Sequence, residues 1–281
     1  KHDALNKISF SANWMSSTKT ADEKGDLVRG VQALANMADT LNVSVPVGKD
    51  SLSMKVNWKE GQSEHTVTSP MTLNISSFSN VNDLNKSVTP ELSDSDTTLL
   101  HLWAHSDKYR LGGSALYQSF KLYGGGTPDI DDANQFKVLF EATQELLDKD
   151  FIEALHDISD GGLITSLIEM ALCSNQGLDI NLDYSDKEQL VPKLFSEEIG
   201  LVIEVKNEKL ESVRNYLNEK ELFFENIAKK NDNKKINIYC FKEEIFSEGL
   251  ITLFNQWSKV SHEIQKIRDN KITSENEFKY I

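Results

Sequence analysis

Ala154-Leu155-His156-Asp157-Ile158-Ser159-Asp160-Gly161-Gly162 is the stretch from which the rest of the chain is best read. It opens a strongly apolar helix, in which Leu163, Ile164, Leu167, Ile168, Met170, Ala171 and Leu172 recur at helical spacing. Two carboxylates and a hydroxyl thus sit just before a helix that starts on two glycines. A helix start has unpaired backbone N–H groups and a partial positive charge. Glycine lets another backbone or a phosphate come close. By chemistry, Asp157 suits Mg²⁺ and Ser159 suits a hydrogen bond to a nucleotide or phosphate. The same residues also admit a structural reading, in which Ser159 or Asp160 caps the helix and His156 is a satisfied core residue. Spacing alone leaves both open.

Upstream, Phe10 to Met15 forms a compact apolar patch in a polar stretch. Leu27, Val28, Val31, Leu34, Ala35, Ala38 and Leu41 predict a helix capped by Asp22 or Asp26. Val43–Val47 is extended, Gly48-Lys49-Asp50-Ser51 interrupts it, and Leu52–Trp58 resumes an alternating pattern up to a turn at Lys59–Gln62. Met71, Leu73 and Ile75 mark a half-buried strand. The Ser-, Asn- and Asp-rich segment from Val81 to Asp96 is a candidate boundary. Beyond it, Thr97–Ala104 reads as a buried strand, Gly112-Gly113 introduces a helix that Gly124-Gly125-Gly126 ends, and Phe136–Leu147 is helical. Downstream of the opening stretch come strands at Leu178–Leu182, Leu201–Val205 and Ile236–Cys240, a helix at Leu210–Leu217, and a final helix from Ile245 to Trp257. The polar tail from Ser258 reads as linker. Helices and strands interleave irregularly, so the expected class is mixed α/β or α+β in two pieces, split near residue 88.

Two further runs are candidates for chemistry. Pro46-Val47-Gly48-Lys49-Asp50-Ser51 reads as a tight loop at a strand end, suited to an anion or simply a polar hairpin; it is not a P-loop, which needs a longer glycine-rich loop opening a helix. Phe195-Ser196-Glu197-Glu198-Ile199-Gly200 offers paired carboxylates for acid–base work or a solvated turn before a strand. His101 and His105 straddle a strand and its end, which argues against a metal pair. Cys173 and Cys240 are the only cysteines and read as reduced, buried thiols. No Gly-x-Ser-x-Gly, His-Glu-x-x-His or Cys-x-x-Cys motif is present, so serine-nucleophile and zinc mechanisms have no support. The 281 residues carry a net charge of -14, which speaks against a nucleic-acid backbone as partner. No apolar run is long enough for a membrane span and no signal peptide is visible, so the expectation is a cytoplasmic, soluble protein. The chain begins at Lys1 without Met and is expected to be a piece of something longer.

Taken in order, Ser11-Ala-Asn-Trp-Met15, Pro46-Val-Gly-Lys-Asp-Ser-Leu-Ser-Met54, Thr68-Ser-Pro-Met71, Leu111-Gly-Gly-Ser-Ala-Leu116, His156-Asp-x-Ser-Asp-Gly-Gly162, Ser196-Glu-Glu-Ile-Gly200 and Ile267-Arg-Asp-Asn270 resemble the large, single-chain phosphoribosylformylglycinamidine synthases of purine biosynthesis. The resemblance implies the end of a second barrel-forming A-type domain at 1–88. It implies a second B-type α/β domain of the aminoimidazole ribonucleotide synthetase-like superfamily at 89–254, and a tail at 255–281 toward a glutaminase domain. The family converts formylglycinamide ribonucleotide to the amidine with ATP, glutamine and Mg²⁺. It implies that Asp157 binds Mg²⁺, that Ser159 contacts the nucleotide (ATP or ADP, held structurally in this half), and that Gly48 and Ser51 lie in a loop reaching a catalytic site. Lys49 departs from the Asn of shorter bacterial relatives. The remaining Mg²⁺ ligands would lie before Lys1 and the glutaminase residues beyond Ile281, so the fragment has no catalytic residue of its own and is expected to be inactive alone. The alternatives are another superfamily member, such as aminoimidazole ribonucleotide or selenophosphate synthetase, or a non-catalytic module packed around a nucleotide.

Overall fold

The computed structural model describes residues 5–104, 108–182 and 187–279. The chain forms two compact units: Lys1–Asn85 with Asp132–Glu145, and Lys86–Asp131 with Leu146–Ile281. His2 and His105 lie outside the described residues.

In the first unit, the apolar patch becomes β1 (Ser9–Met15), followed by α1 (Ala21–Leu41) and β2 (Ser44–Ser51). A hairpin of β3 (Lys55–Glu60) and β4 (Ser63–Thr68) turns at Gly61, whose φ of +63° glycine tolerates. β5 (Thr72–Phe78) completes the unit's strands. β1 is central, pairing parallel with β2 and antiparallel with β5. α1 is capped by Thr20, not by Asp22 or Asp26, which fall inside its first two turns. The Thr20 hydroxyl accepts the Glu23 N–H and the Glu23 carboxylate accepts the Thr20 N–H, a reciprocal capping box. The Thr20 N–H first, then the Ser17 hydroxyl and the Lys19 N–H, hold the Glu23 carboxyl below its usual range. Leu5, Leu41 and Val43 form a small core with Phe10, Met37, Phe136 and Phe140.

The second unit is built on a seven-stranded sheet. It begins with β6 (Thr97–Trp103), every residue of which is buried, then the short α2 (Ala115–Ser119). α3 (Ala133–Asp148) runs from the first unit into the second. There follow β7 (Ala154–Asp157), α4 (Gly162–Ser174), β8 (Gly177–Leu182), α5 (Leu190–Phe195), β9 (Gly200–Lys206), α6 (Leu210–Glu219), β10 (Phe223–Asn231), β11 (Lys235–Cys240), β12 (Glu243–Gly249), α7 (Leu250–Arg268) and α8 (Lys271–Lys279). The strand order is β12-β11-β8-β10-β6-β9-β7. Leu163, Leu167 and Met170 of α4 join Leu99, Ile180, Val202, Ile227 and Ile238 of the sheet in one core. Burial of each such side chain is worth about 1.5–3 kcal/mol.

Ile245 belongs to β12, and the final helix starts only at Leu250. The polar tail is helical, not linker: α7 continues to Arg268 and α8 folds back on it through the stacked rings of His262 and Phe278, 4.0 Å apart. Nothing between Ser258 and Lys279 breaks a helix except the step at Asp269-Asn270, where the Asn270 side chain accepts the Thr273 N–H and starts α8.

Candidate functional site

β7 is an edge strand, and its last residue, Asp157, pairs with Leu201 of β9. The Asp157 carbonyl accepts hydrogen bonds from the Ser166 hydroxyl at 2.8 Å and from His156 Nδ1 at 2.7 Å, which fixes the backbone there. Its carboxylate points outward, 70% exposed. His156 is half-buried; its Nε2 lies 3.2 Å from Glu169 on α4, and the other Glu169 oxygen accepts the Trp257 indole N–H from α7 at 3.0 Å. His156 is therefore satisfied, as its structural reading expects. Ser159 and Asp160 are exposed, and neither side chain caps α4. Both remain presented to solvent beside Asp157.

The two glycines serve a purpose other than phosphate approach. Gly161 and Gly162 have φ of +88° and +74°, a region costly for other residues. A β-carbon on Gly162 would fall 2.7 Å from the Phe195 carbonyl carbon and the Ser196 oxygen, so the start of α4 is packed against the α5–β9 connection. The Gly162 N–H donates to the Ser159 carbonyl at 3.0 Å and the Gly161 N–H to Glu197 Oε1 at 2.8 Å. Both N–H groups are engaged within the protein. Neither amide is left free for a ligand at this loop.

The paired carboxylates after α5 are neither an acid–base pair nor a solvated turn. Glu198 is buried, and Arg110 grips it bidentately: Nε to Oε1 at 2.6 Å and Nη2 to Oε2 at 2.8 Å, with the Arg110 backbone N–H adding a third bond. That hydrogen bonding, above all, pushes the Arg110 guanidinium further up. Arg110 also reaches Asp131, whose carboxyl is held low by Lys108 first and Arg110 second. Glu197 Oε1 accepts the Ala115 N–H as well as that of Gly161, both at 2.8 Å. Gly112 packs so tightly on Gly126 that a β-carbon would lie 2.6 Å from the Gly126 oxygen. Glycine turns scattered over 50 residues of sequence thus meet one connection.

Gly48 and Ser51 lie in the first unit and belong to β2, not to a loop. The strand runs through Gly48-Lys49-Asp50-Ser51 because β1 offers a continuous parallel ladder, Ala12↔Gly48 to Met15↔Ser51. Gly48 is required by that pairing, since a β-carbon there would sit 2.7 Å from the Ala12 oxygen. Lys49 Nζ donates to the Ser51 hydroxyl at 3.0 Å on the exposed edge.

Among the described residues no group of three or more His, Cys, Asp or Glu side chains converges as a metal site. Mg²⁺, however, keeps several waters and is typically held by one or two carboxylates plus phosphate oxygens. An exposed Asp157 with an adjacent hydroxyl fits one such contribution, not a complete shell. A polar hollow of about 570 Å³ lies at the opposite end of the sheet, beside Thr97, Lys230 and Asn231, and is separate from this loop. Cys240 is buried as expected, but Cys173 is exposed on α4. No helix of the described residues is long and apolar enough to cross a membrane.

Comparison with known proteins agrees with the motifs. The chain is 37% identical over 98% of its length to the phosphoribosylformylglycinamidine synthase of Saccharomyces cerevisiae. Over that length it resembles a segment of that enzyme. The chain spans about a fifth, 21%, of that relative's length. Residues 1–80 match the family profile described as the FGAR-AT PurM_N-like domain, and residues 104–241 match the AIR synthase related protein, C-terminal domain. Among solved structures, Thermotoga maritima PurL complexed with FGAR superposes with a TM-score of 0.65 at 15% identity, over 89% of this chain and 40% of that one. PurL complexed with ATP gives 0.62 at 14% identity, over 89% and 38%. The hydrogenase maturation protein HypE of E. coli gives 0.59 at 17%, over 84% and 72%. At such identities the likeness establishes the fold: a mixed α/β chain with a PurM-like C-terminal domain.

Proposed function

We propose that the chain is the second-half segment of a synthetase that converts formylglycinamide ribonucleotide, with ATP and glutamine, to the amidine. The observation that carries this reading is the 37% identity along 98% of the chain. On this reading residues 1–88 are the end of an A-type domain, 89–254 a B-type domain, and 255–281 the tail toward a glutaminase. ATP converts the amide oxygen into a phosphate-like leaving group and ammonia displaces it. Two free cysteines suit a cytoplasmic setting.

Bound Mg²⁺ would neutralise phosphate oxygens of the nucleotide. This chain's residues act around that charge. Asp157, its backbone fixed by Ser166 and His156, holds a carboxylate toward solvent where the metal's shell can be shared. Ser159, two residues on and exposed, supplies a hydroxyl to the phosphates or sugar. Gly48 and Ser51, on strand β2, belong on this reading to the segment that reaches the catalytic site in the other half. On this reading the nucleotide at Asp157 is held structurally, and the one consumed is bound elsewhere in the full enzyme.

The reading is tested by assaying the polypeptide that carries these residues for glutamine- and ATP-dependent amidine formation, with the 281-residue chain assayed in parallel. Turnover by the former and none by the latter is expected. Turnover by the 281-residue chain, or none by the longer polypeptide, contradicts it.

A further inference from the structure

The loop that presents Asp157 and Ser159 is short and glycine-ended, and the α5–β9 connection pins it at both ends. Ile158 N–H donates to the Gly200 carbonyl at 2.9 Å, and Gly161 N–H donates to Glu197 at 2.8 Å. The second bond carries more of the constraint. Gly161 is the most conformationally permissive residue of the loop, and no side chain caps α4 behind it. The same Glu197 oxygen holds Ala115, the first residue of α2, so one carboxylate atom sets the loop against the Gly112–Ala115 turn. Glu198, locked by Arg110, fixes the chain direction from which Glu197 reaches out.

We propose that Glu197 is the positioning residue of the Asp157–Ser159 site: it touches no ligand, but by bridging the Gly161 and Ala115 N–H groups it holds the loop in the geometry that a metal-bound nucleotide meets. The inference rests on the reading of Asp157 and Ser159 as nucleotide-facing. What it requires of Glu197 is an acceptor oxygen, not a negative charge. Glutamine keeps such an oxygen; alanine does not.

The test uses the polypeptide that carries these residues, with Mg²⁺-ADP as the probe. Glu197→Ala should raise the Kd about tenfold, the loss expected for removing two ordinary hydrogen bonds. Hydrogen exchange at the Gly161 and Ala115 amides should accelerate by a similar factor. Glu197→Gln should stay within about twofold of the parent in both. Melting temperatures are compared throughout, because a purely structural role would lower stability and leave the Kd of the folded protein unchanged. Ala115→Pro supplies an independent variant. It deletes one of the two donors at the first position of a helix, where proline is accepted, after a Ser114 whose ψ of 158° suits a following proline. An intermediate weakening, about threefold, is expected from it. Parental Kd and exchange in Glu197→Ala, or a Glu197→Gln as impaired as the alanine variant, would overturn the proposal. Failure of the parent itself to bind Mg²⁺-ADP would refute the site reading instead, and the exchange rates would still decide whether Glu197 holds the loop.

Discussion

Arg110→Met should be among the most destabilising single changes in the second unit. The substitution keeps the aliphatic stem and the backbone N–H bond to Glu198, but removes the 2.6 and 2.8 Å bonds to its two oxygens. The Glu198 side chain is 2% exposed, so its carboxylate is left buried with most of its compensation gone. Removing one partner of a buried pair costs about 3–5 kcal/mol. The bonds to Asp131, at the surface, add little to that. For a chain of this size, each kcal/mol lowers the melting temperature by about 2–4 °C, so a fall of roughly 6–20 °C is expected. The assay is urea unfolding of the chain followed by circular dichroism, for the parent, Arg110→Met, Glu198→Met and the double variant. Because the desolvation cost vanishes when both charges go, the double variant should regain most of the loss. An Arg110→Met within 1 kcal/mol of the parent would refute the reasoning, as would a double variant as unstable as the sum of the singles.

Gly162→Ala should lose about 1–3 kcal/mol for its left-handed backbone alone, with the clash against Phe195 and Ser196 added; parental stability in the same unfolding assay would contradict the packing described. Acid should weaken the second unit through His101. Burial holds its pKa below the ordinary value against the pull of Glu225, and the nearby Lys193 charge adds to the lowering. The unfolded chain takes up that proton near pH 6.5 and the folded chain only further down. Stability is therefore complete above about pH 6.5 and falls by about 1.4 kcal/mol per unit below it, until the folded pKa is reached. His101→Asn should flatten the profile just below pH 6.5, and an unchanged slope would count against burial as the cause.

Much of this architecture can be read in the sequence, and the exceptions have physical causes. β6 is legible because all seven residues are buried and Leu99, Leu100, Leu102 and Trp103 make an apolar run. α4 is legible because its apolar face is wide. β10 is not, although it is a central strand, because it carries charge inward. Glu225 pairs with the fully buried Lys193, and Lys230 with the buried Glu204, so buried ion pairs erase the hydrophobic pattern. β4 and β12 are largely exposed and show little of it. At the site, Asp157 and Ser159 stand out by motif, but Glu197 does not. Two adjacent glutamates before a strand look solvated until the fold brings Arg110, Ala115 and Gly161 to them from positions 36 to 88 residues away in sequence. Gly48 reads as a loop breaker because a parallel ladder to β1 is a non-local fact.

The decisive measurement is ADP binding to the polypeptide that carries these residues, by titration calorimetry with and without Mg²⁺, for the parent and Asp157→Asn. Asn is nearly isosteric and leaves the backbone bonds to Ser166 and His156 in place. Mg²⁺-dependent binding is expected in the parent, with a loss of about tenfold to a hundredfold in the variant when Mg²⁺ is present and little difference when it is absent. Equal affinities for parent and variant in Mg²⁺ would contradict it.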